Sequence, residues 1–80
     1  MEQRSASHVA LGRAIREARD ARGISQEDLA SASGLHRTYV GGIERGERNP
    51  AYANLLRIAR ALGLRASALL SRAEELERGA

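Results

Sequence analysis

The 80-residue sequence predicts an all-α fold, a compact bundle of five helices. Leucine and alanine dominate its apolar residues, and runs of β-branched residues are nearly absent, which favours helix over strand. Apolar residues also recur at the spacing of a helix face, and glycines separate the resulting segments. Two tyrosines and no phenylalanine or tryptophan mean that one small aliphatic core must hold this domain together.

Start and stop signals set the predicted bounds of each element. The first seven residues are polar and small, which indicates a flexible lead-in over 1–7, with Ser7 as the cap of the first helix. The last residues, 77–80, are expected to be a disordered tail. The spacing predicts helices over 8–22, 26–33, 36–45, 52–62 and 66–76.

The second and third helices have the clearest boundaries. Ser25 and Asp28 have the spacing of a capping box, in which each side chain binds the other residue's backbone amide. Gly34 fits a left-handed turn between the two helices, and Gly46 ends the third in the same way. His36 stands at the cap position of the third helix, and Pro50 prevents its quick resumption.

The inward face of each helix can be read from the same spacing. Leu64 is expected to pin the last connection to the core. The other apolar residues predicted to point inward in helices two to five are Leu29, Ala30, Val40, Ile43, Leu55, Ile58, Ala59, Leu62, Leu69, Leu70, Ala73 and Leu76.

The stretch 26–50 resembles a known family. The positions that carry the resemblance are Gln26, Ala30, Gly34, Val40 and Ile43, followed by IERG at 43–46 and RNP at 48–50. Their spacing is similar to the helix-turn-helix signature of the lambdoid repressor and Cro family, also called XRE. The resemblance covers about residues 11–70, and the segment GLHRTYVGGIERG is most like the controller proteins of restriction-modification systems. It implies a DNA-binding domain over 8–76 that includes a C-terminal dimerisation helix.

Base recognition is expected from the start of the third helix, which in this motif enters the major groove. Arg37 and Thr38 are its first exposed residues and correspond to base-reading positions of the family. Arginine binds guanine O6 and N7 through two hydrogen bonds, and threonine offers a hydroxyl or a methyl group. An arginine here also opposes the helix dipole, which favours function over a solvated surface role.

Two glycines in the middle of the third helix, Gly41 and Gly42, are unusual because each costs about 1 kcal/mol relative to alanine. Gly42 falls where relatives often have a third base-reading side chain. Close approach of the backbone to DNA, a helix narrowed to fit the groove, and packing against another helix are all compatible with the sequence.

Other residues are expected to position the protein rather than to read bases. Predicted contacts to the DNA backbone come from Gln26, Tyr39, Arg48 and Asn49, although Tyr39 is equally compatible with a place in the core. The resemblance implies an ion pair between Arg19 and Glu44, and a two-fold dimer through the fifth helix. The residues expected at that dimer interface are Leu69, Leu70, Ala73 and Leu76; the alternative is that all four close the core of the monomer.

Charge and composition narrow the function further. All thirteen basic residues are arginine, and 36–65 has six arginines against two acidic residues, which indicates a face for a polyanion. The sequence has no cysteine, no histidine cluster at metal-ligand spacing and no arrangement of catalytic side chains, so neither a cofactor nor enzyme activity is expected. No apolar run is long enough to span a membrane, and a cytoplasmic location is predicted.

The sequence therefore predicts a transcription regulator that binds a palindromic site on double-stranded DNA as a homodimer. It would repress by blocking RNA polymerase or activate by contacting it. Two alternatives remain open: the antitoxin of a toxin-antitoxin pair, and an adaptor that keeps the bundle but binds protein instead of DNA.

Overall fold

The computed structural model describes residues 5–79, and the regular structure in this range is entirely helical. Its elements are α1 (Ala6–Arg22), α2 (Gln26–Ser33), α3 (Arg37–Glu44), α4 (Tyr52–Ala61) and α5 (Ala66–Glu77). The predicted all-α, five-helix fold is confirmed, and the bounds of α2 to α5 agree with the prediction to within one residue. Within the described range, no helix combines the length and the apolar character that a membrane span requires.

The start of α1 differs from the prediction. The cap is Ser5, whose hydroxyl accepts a hydrogen bond from the His8 amide at 3.0 Å. Ser7 is already inside the helix, and its hydroxyl donates to the Glu77 carboxylate at 3.0 Å. The predicted flexible lead-in is therefore wrong for residues 5–7, and the predicted tail is wrong at Glu77, which ends α5. The rest of the lead-in, 1–4, and residue 80 lie outside the described residues.

The junction of α2 and α3 has the predicted geometry. Ser25 Oγ accepts from the Asp28 amide, and the Asp28 carboxylate accepts from the Ser25 amide, both at 3.0 Å. The hydrogen bond from the Ser25 amide holds the pKa of the Asp28 carboxyl below its ordinary value, so the stability that this cap contributes is full above the ordinary pKa and is lost as the pH falls through the lowered one. Gly34 follows with φ 72°, which is a left-handed conformation that turns the chain sharply into α3.

Two apolar clusters hold the bundle together. The main cluster contains Ile15, Leu29, Ala30, Val40, Ile43, Leu55, Ile58, Ala59, Leu62 and Leu69, and so joins all five helices. A smaller cluster joins α1 to α5 through Ala10, Ala14, Ala73 and Leu76. Burying these side chains is the main stabilising term for a domain of this size.

The fifth helix corrects two predictions. Ala73 and Leu76 are buried against α1 and Leu69 is buried in the main cluster, so these three residues are not available for a dimer interface. Leu70 is 42% exposed and is the only residue of the predicted interface that remains accessible. Leu64 is 39% exposed and does not pin the connection before α5, because the buried side chain at the end of α4 is Leu62.

Helices α1 and α3 lie close together at Gly12, which the sequence analysis did not single out. Gly12 is buried, and a methyl group added to it would overlap the carbonyl oxygen of Ile43 and lie 2.6 Å from that of Glu44. The obstacle is backbone, so no side-chain rotation can relieve it. The absence of a side chain at this position therefore allows α1 to cross the end of α3.

The substitution Gly12→Ala tests this crossing. Alanine has the higher helix propensity, yet we expect the variant to lose about 1–3 kcal/mol in free energy of unfolding because the two helices must separate. Urea denaturation followed by circular dichroism measures the loss. The neighbouring exposed change Arg13→Ala is the control and should stay within about 0.5 kcal/mol of the parent. A Gly12→Ala protein as stable as this control would show that the crossing tolerates a side chain.

Candidate nucleic-acid interface

The first turn of α3 presents two polar residues to solvent. Arg37 and Thr38 are both exposed, whereas Val40 and Ile43 on the other side of the helix are buried at 0% and 1% exposure. His36 caps the helix as predicted, with Nδ1 accepting a long hydrogen bond of 3.4 Å from the Thr38 amide. Core packing on one side thus directs the arginine and the threonine outward together.

The other end of α3 is tied to α1 through a buried carboxylate. The Glu44 side chain is 2% exposed and accepts two hydrogen bonds from Arg19, from Nε to Oε2 at 2.7 Å and from Nη2 to Oε1 at 3.0 Å. Arg19 also donates from Nη1 to the carbonyl oxygen of Ile24 at 2.9 Å. The ion pair implied by the family resemblance is therefore present and is bidentate, so it fixes the relative orientation of the two side chains as well as balancing their charges.

The ion pair between Arg19 and Glu44 also determines which charge the exposed side of α3 presents. Hydrogen bonds to the Glu44 carboxylate raise the pKa of the Arg19 guanidinium above its already high ordinary value, so Arg19 remains a cation. Because Glu44 is buried and faces that cation, its negative charge is not presented at the exposed side of the helix. A phosphate approaching α3 therefore does not meet a free carboxylate.

Gln26 shares the same carboxylate. Its side-chain nitrogen Nε2 donates to Glu44 Oε1 at 3.0 Å, a contact that the sequence analysis did not include. Its side-chain oxygen lies toward α3, 3.4 Å from where a methyl group at Gly41 would be. Glu44 thus fixes the orientation of Gln26 at the N-terminus of α2, and the second N–H of the amide remains a potential donor.

Tyr39 combines the two roles that the sequence left open. Its ring is half-buried against the main core, and its hydroxyl oxygen accepts a hydrogen bond from Asn54 Nδ2 at 3.1 Å. A phenol can donate its own hydrogen while its oxygen accepts. Tyr39 is therefore positioned by α4 and can still offer a hydrogen to a ligand.

The segment after α3 carries further polar side chains at the surface. Arg45 pairs with Glu47 at 3.1 Å, and both are exposed. Arg48 and Asn49 are also exposed. Asn49 lines a shallow groove together with Leu70, so the end of this segment adjoins the accessible part of α5.

Two short helices joined by a glycine turn, with an arginine and a threonine exposed at the start of the second, define a helix-turn-helix protein. A helix-turn-helix family profile matches residues 15–69. The control protein C.SmaI of Serratia marcescens is 45% identical to the chain over 62 residues, which is 78% of this chain and 74% of that protein. The chain therefore belongs to the XRE-type helix-turn-helix family, among the controller proteins, and is a DNA-binding transcription regulator rather than an enzyme.

Solved structures of controller proteins share the fold over most of the chain. The restriction-modification controller C.AhdI of Aeromonas hydrophila is 49% identical, with a TM-score of 0.80 over 81% of this chain and 98% of its own. The controller C.Esp1396I, solved as a tetramer on its natural 35-base-pair operator, is 32% identical, with a TM-score of 0.83 over 91% and 96% of the two chains. Variants of C.Esp1396I have been solved in which an arginine, a threonine or a tyrosine at three consecutive positions is replaced.

Two hydrogen bonds at this interface, from Asn54 to Tyr39 and from Gln26 to Glu44, were not found from the sequence. Asn54 and the Gln26 side chain each hold a neighbour through one hydrogen bond, and neither type of residue is specific enough to predict such a contact. Among residues 5–79, no group of three or more histidine, cysteine, aspartate or glutamate side chains is placed so that it could hold a metal ion.

The ion pair makes a testable contribution to stability. We expect Arg19→Met to lose about 3–5 kcal/mol in free energy of unfolding, because it leaves the Glu44 carboxylate buried without its cation. The double variant Arg19→Met/Glu44→Met should recover much of that loss, since it removes the buried charge as well. Denaturant unfolding of both variants, with exposed Arg16→Met as the control, measures the effect. Equal losses in the single and double variants would contradict a charge-based explanation.

Proposed function

We propose that the chain acts as a homodimer on a palindromic operator and regulates its own or a neighbouring promoter in a restriction-modification system. The observation that carries this proposal is the exposure of Arg37 and Thr38 on a helix that the core and the Glu44 ion pair hold in place. A fixed helix with exposed polar residues in its first turn is the form in which this motif enters the major groove.

Arg37 and Thr38 are the proposed base readers. Arginine discriminates guanine through O6 and N7, and threonine can bind a base edge or contact a thymine methyl group. The consecutive arginine, threonine and tyrosine replaced in C.Esp1396I variants have the same order as Arg37, Thr38 and Tyr39 here, which supports the assignment.

The proposed contacts to the DNA backbone surround these readers. Gln26 lies at the N-terminus of α2, where unpaired amides and the helix dipole favour a phosphate. Tyr39 offers its phenol hydrogen, and Arg48 and Asn49 come from the exposed segment after α3. Such contacts set the position of the protein and make its affinity depend on salt, without selecting a sequence.

Leu70 is the proposed centre of the dimer interface. It is the exposed leucine of α5, and the groove that it lines also contains Asn49, close to the end of α3. A two-fold contact there would place two recognition helices about 34 Å apart, one turn of B-DNA. The tetramer of C.Esp1396I on its operator supports assembly of this kind.

The proposed setting is the bacterial cytoplasm, where an operator-bound dimer would block RNA polymerase or recruit it. The relatives that are controller proteins favour this function over an antitoxin. Loss of DNA binding with retention of a protein partner would instead identify the adaptor.

Selection from a random duplex library by the purified protein, followed by titration at two salt concentrations, tests the function. We expect a palindrome with half-sites about one helical turn apart. Arg37→Ala should lose about 1–3 kcal/mol in binding free energy and relax the preference at one base pair in each half-site. Arg48→Ala should weaken specific and random DNA alike and reduce the salt slope by about 1. Identical behaviour of the two variants would reject the division between readers and backbone contacts.

The dimer is tested by Leu70→Glu. A charge at the centre of an apolar contact should raise the dimer dissociation constant at least tenfold, equivalent to about 1.4 kcal/mol, without unfolding the monomer. Sedimentation equilibrium measures the change. Leu64→Glu is the matched control, because Leu64 is exposed to a similar degree but does not line the groove beside Asn49. Equal effects of the two substitutions would place the interface elsewhere.

A further inference from the structure

Gly42 is covered by the side chain of Arg48. A methyl group added to Gly42 would lie 2.6 Å from Arg48 Cγ, 3.6 Å from Cδ and 3.5 Å from Nε. The stem of the arginine therefore runs directly over the backbone of α3 at this residue. Gly42 is buried although it lies near the exposed side of the helix, one turn after Thr38.

The end of α3 brings Arg48 to this place. The chain turns at Gly46, with φ 77°, and the amide of Glu47 donates to the carbonyl oxygen of Gly42 at 2.9 Å. This hydrogen bond folds the segment after the helix back over the last turn of α3. Arg48 is the next residue, and its stem fills the space where position 42 would have a side chain.

We propose that Gly42 is a positioning residue that seats Arg48 beside the base-reading turn of α3. The proposal rests on the operator contacts proposed above and explains a residue that those contacts left unassigned. Position 42 has no side chain of its own to offer DNA, and the guanidinium of Arg48 is held over it instead. The packing partner of Gly42 is thus the segment after α3 rather than another helix.

The space over Gly42 that holds the Arg48 stem, here called the seat, affects binding because it restricts the rotamers of Arg48 before DNA binds. A long side chain on an open surface must lose many rotamers when it grips a phosphate, and a confined stem has fewer to lose. Filling the seat with a methyl group displaces Cγ, which lies in the middle of the stem, so the guanidinium must move as well. Gly41 differs, because a methyl group there would meet the flexible end of Arg45, at 3.1 Å from Nη1, and would lie in ordinary contact with the Gln26 side-chain oxygen, at 3.4 Å.

The test is a double-variant cycle with the palindromic duplex that the parent protein selects. Affinity and salt dependence are measured for the parent, Gly42→Ala, Arg48→Ala and the double variant, with Gly41→Ala as the control. Arg48→Ala should lose about tenfold in affinity or more, as expected for a charged hydrogen bond. Gly42→Ala should lose most of that factor, the double variant should bind no more weakly than Arg48→Ala, and the control should retain more affinity than Gly42→Ala.

Thermal unfolding separates this effect from a folding defect. Alanine is the better helix former, so Gly42→Ala in the Arg48→Ala background, where the stem is gone, should have an equal or higher Tm than Arg48→Ala alone. A lower Tm in that background would overturn the proposal, because the methyl group would then be clashing with something other than Arg48.

Two other outcomes of the double-variant cycle would also overturn the proposal. Parent-like affinity of Gly42→Ala would overturn the proposal, and so would losses that multiply in the double variant, since the methyl group would then act on DNA directly. If the parent selects no duplex, the proposed operator binding itself fails, whereas failure of the cycle alone leaves that proposal intact.

Discussion

The buried carboxylate of Glu44 is the point on which the arrangement of the first three helices depends. It belongs to α3, binds Arg19 of α1 through two hydrogen bonds and binds Gln26 of α2 through a third. A buried charge is costly unless its partners satisfy it, so these three helices are held to one mutual geometry. The exposed turn with Arg37 and Thr38 takes its orientation from that geometry. Stability and the presentation of the recognition helix are thus consequences of the same contact.

Much of the fold was predictable because its signals are local. The capping box of Ser25 and Asp28, the left-handed Gly34 and the spacing of Val40 and Ile43 each constrain only a few neighbouring residues, and the structure confirms all of them. The family resemblance added what local rules cannot supply, the pairing of residues 19 and 44. The exposed positions 37 and 38 followed from the same two sources, although their role toward DNA is still a proposal.

The errors concern contacts between distant segments. The four apolar residues of α5 were assigned to a dimer interface, but α1 covers Ala73 and Leu76, Leu69 lies in the main cluster, and only the packed structure shows that Leu70 is left exposed. Ser5 and Ser7 are equally good caps by composition, and the choice depends on how far α1 extends beside the end of α5. Gly42 was recognised as unusual and Gly12 was not, and at both positions the atoms that a side chain would meet come from elsewhere in the chain.

The crossing at Gly12 allows the exposed side chains of α3 to change during evolution while the orientation of α3 stays the same. At this crossing α1 meets α3 through main-chain atoms, which substitutions at positions other than Gly12 leave in place, so replacing other core side chains has little effect on the angle at which α3 leaves the bundle. The exposed residues of α3 can then diversify without altering that angle. A lineage of such proteins could acquire new target sequences by exchanging a few surface side chains on an unchanged frame.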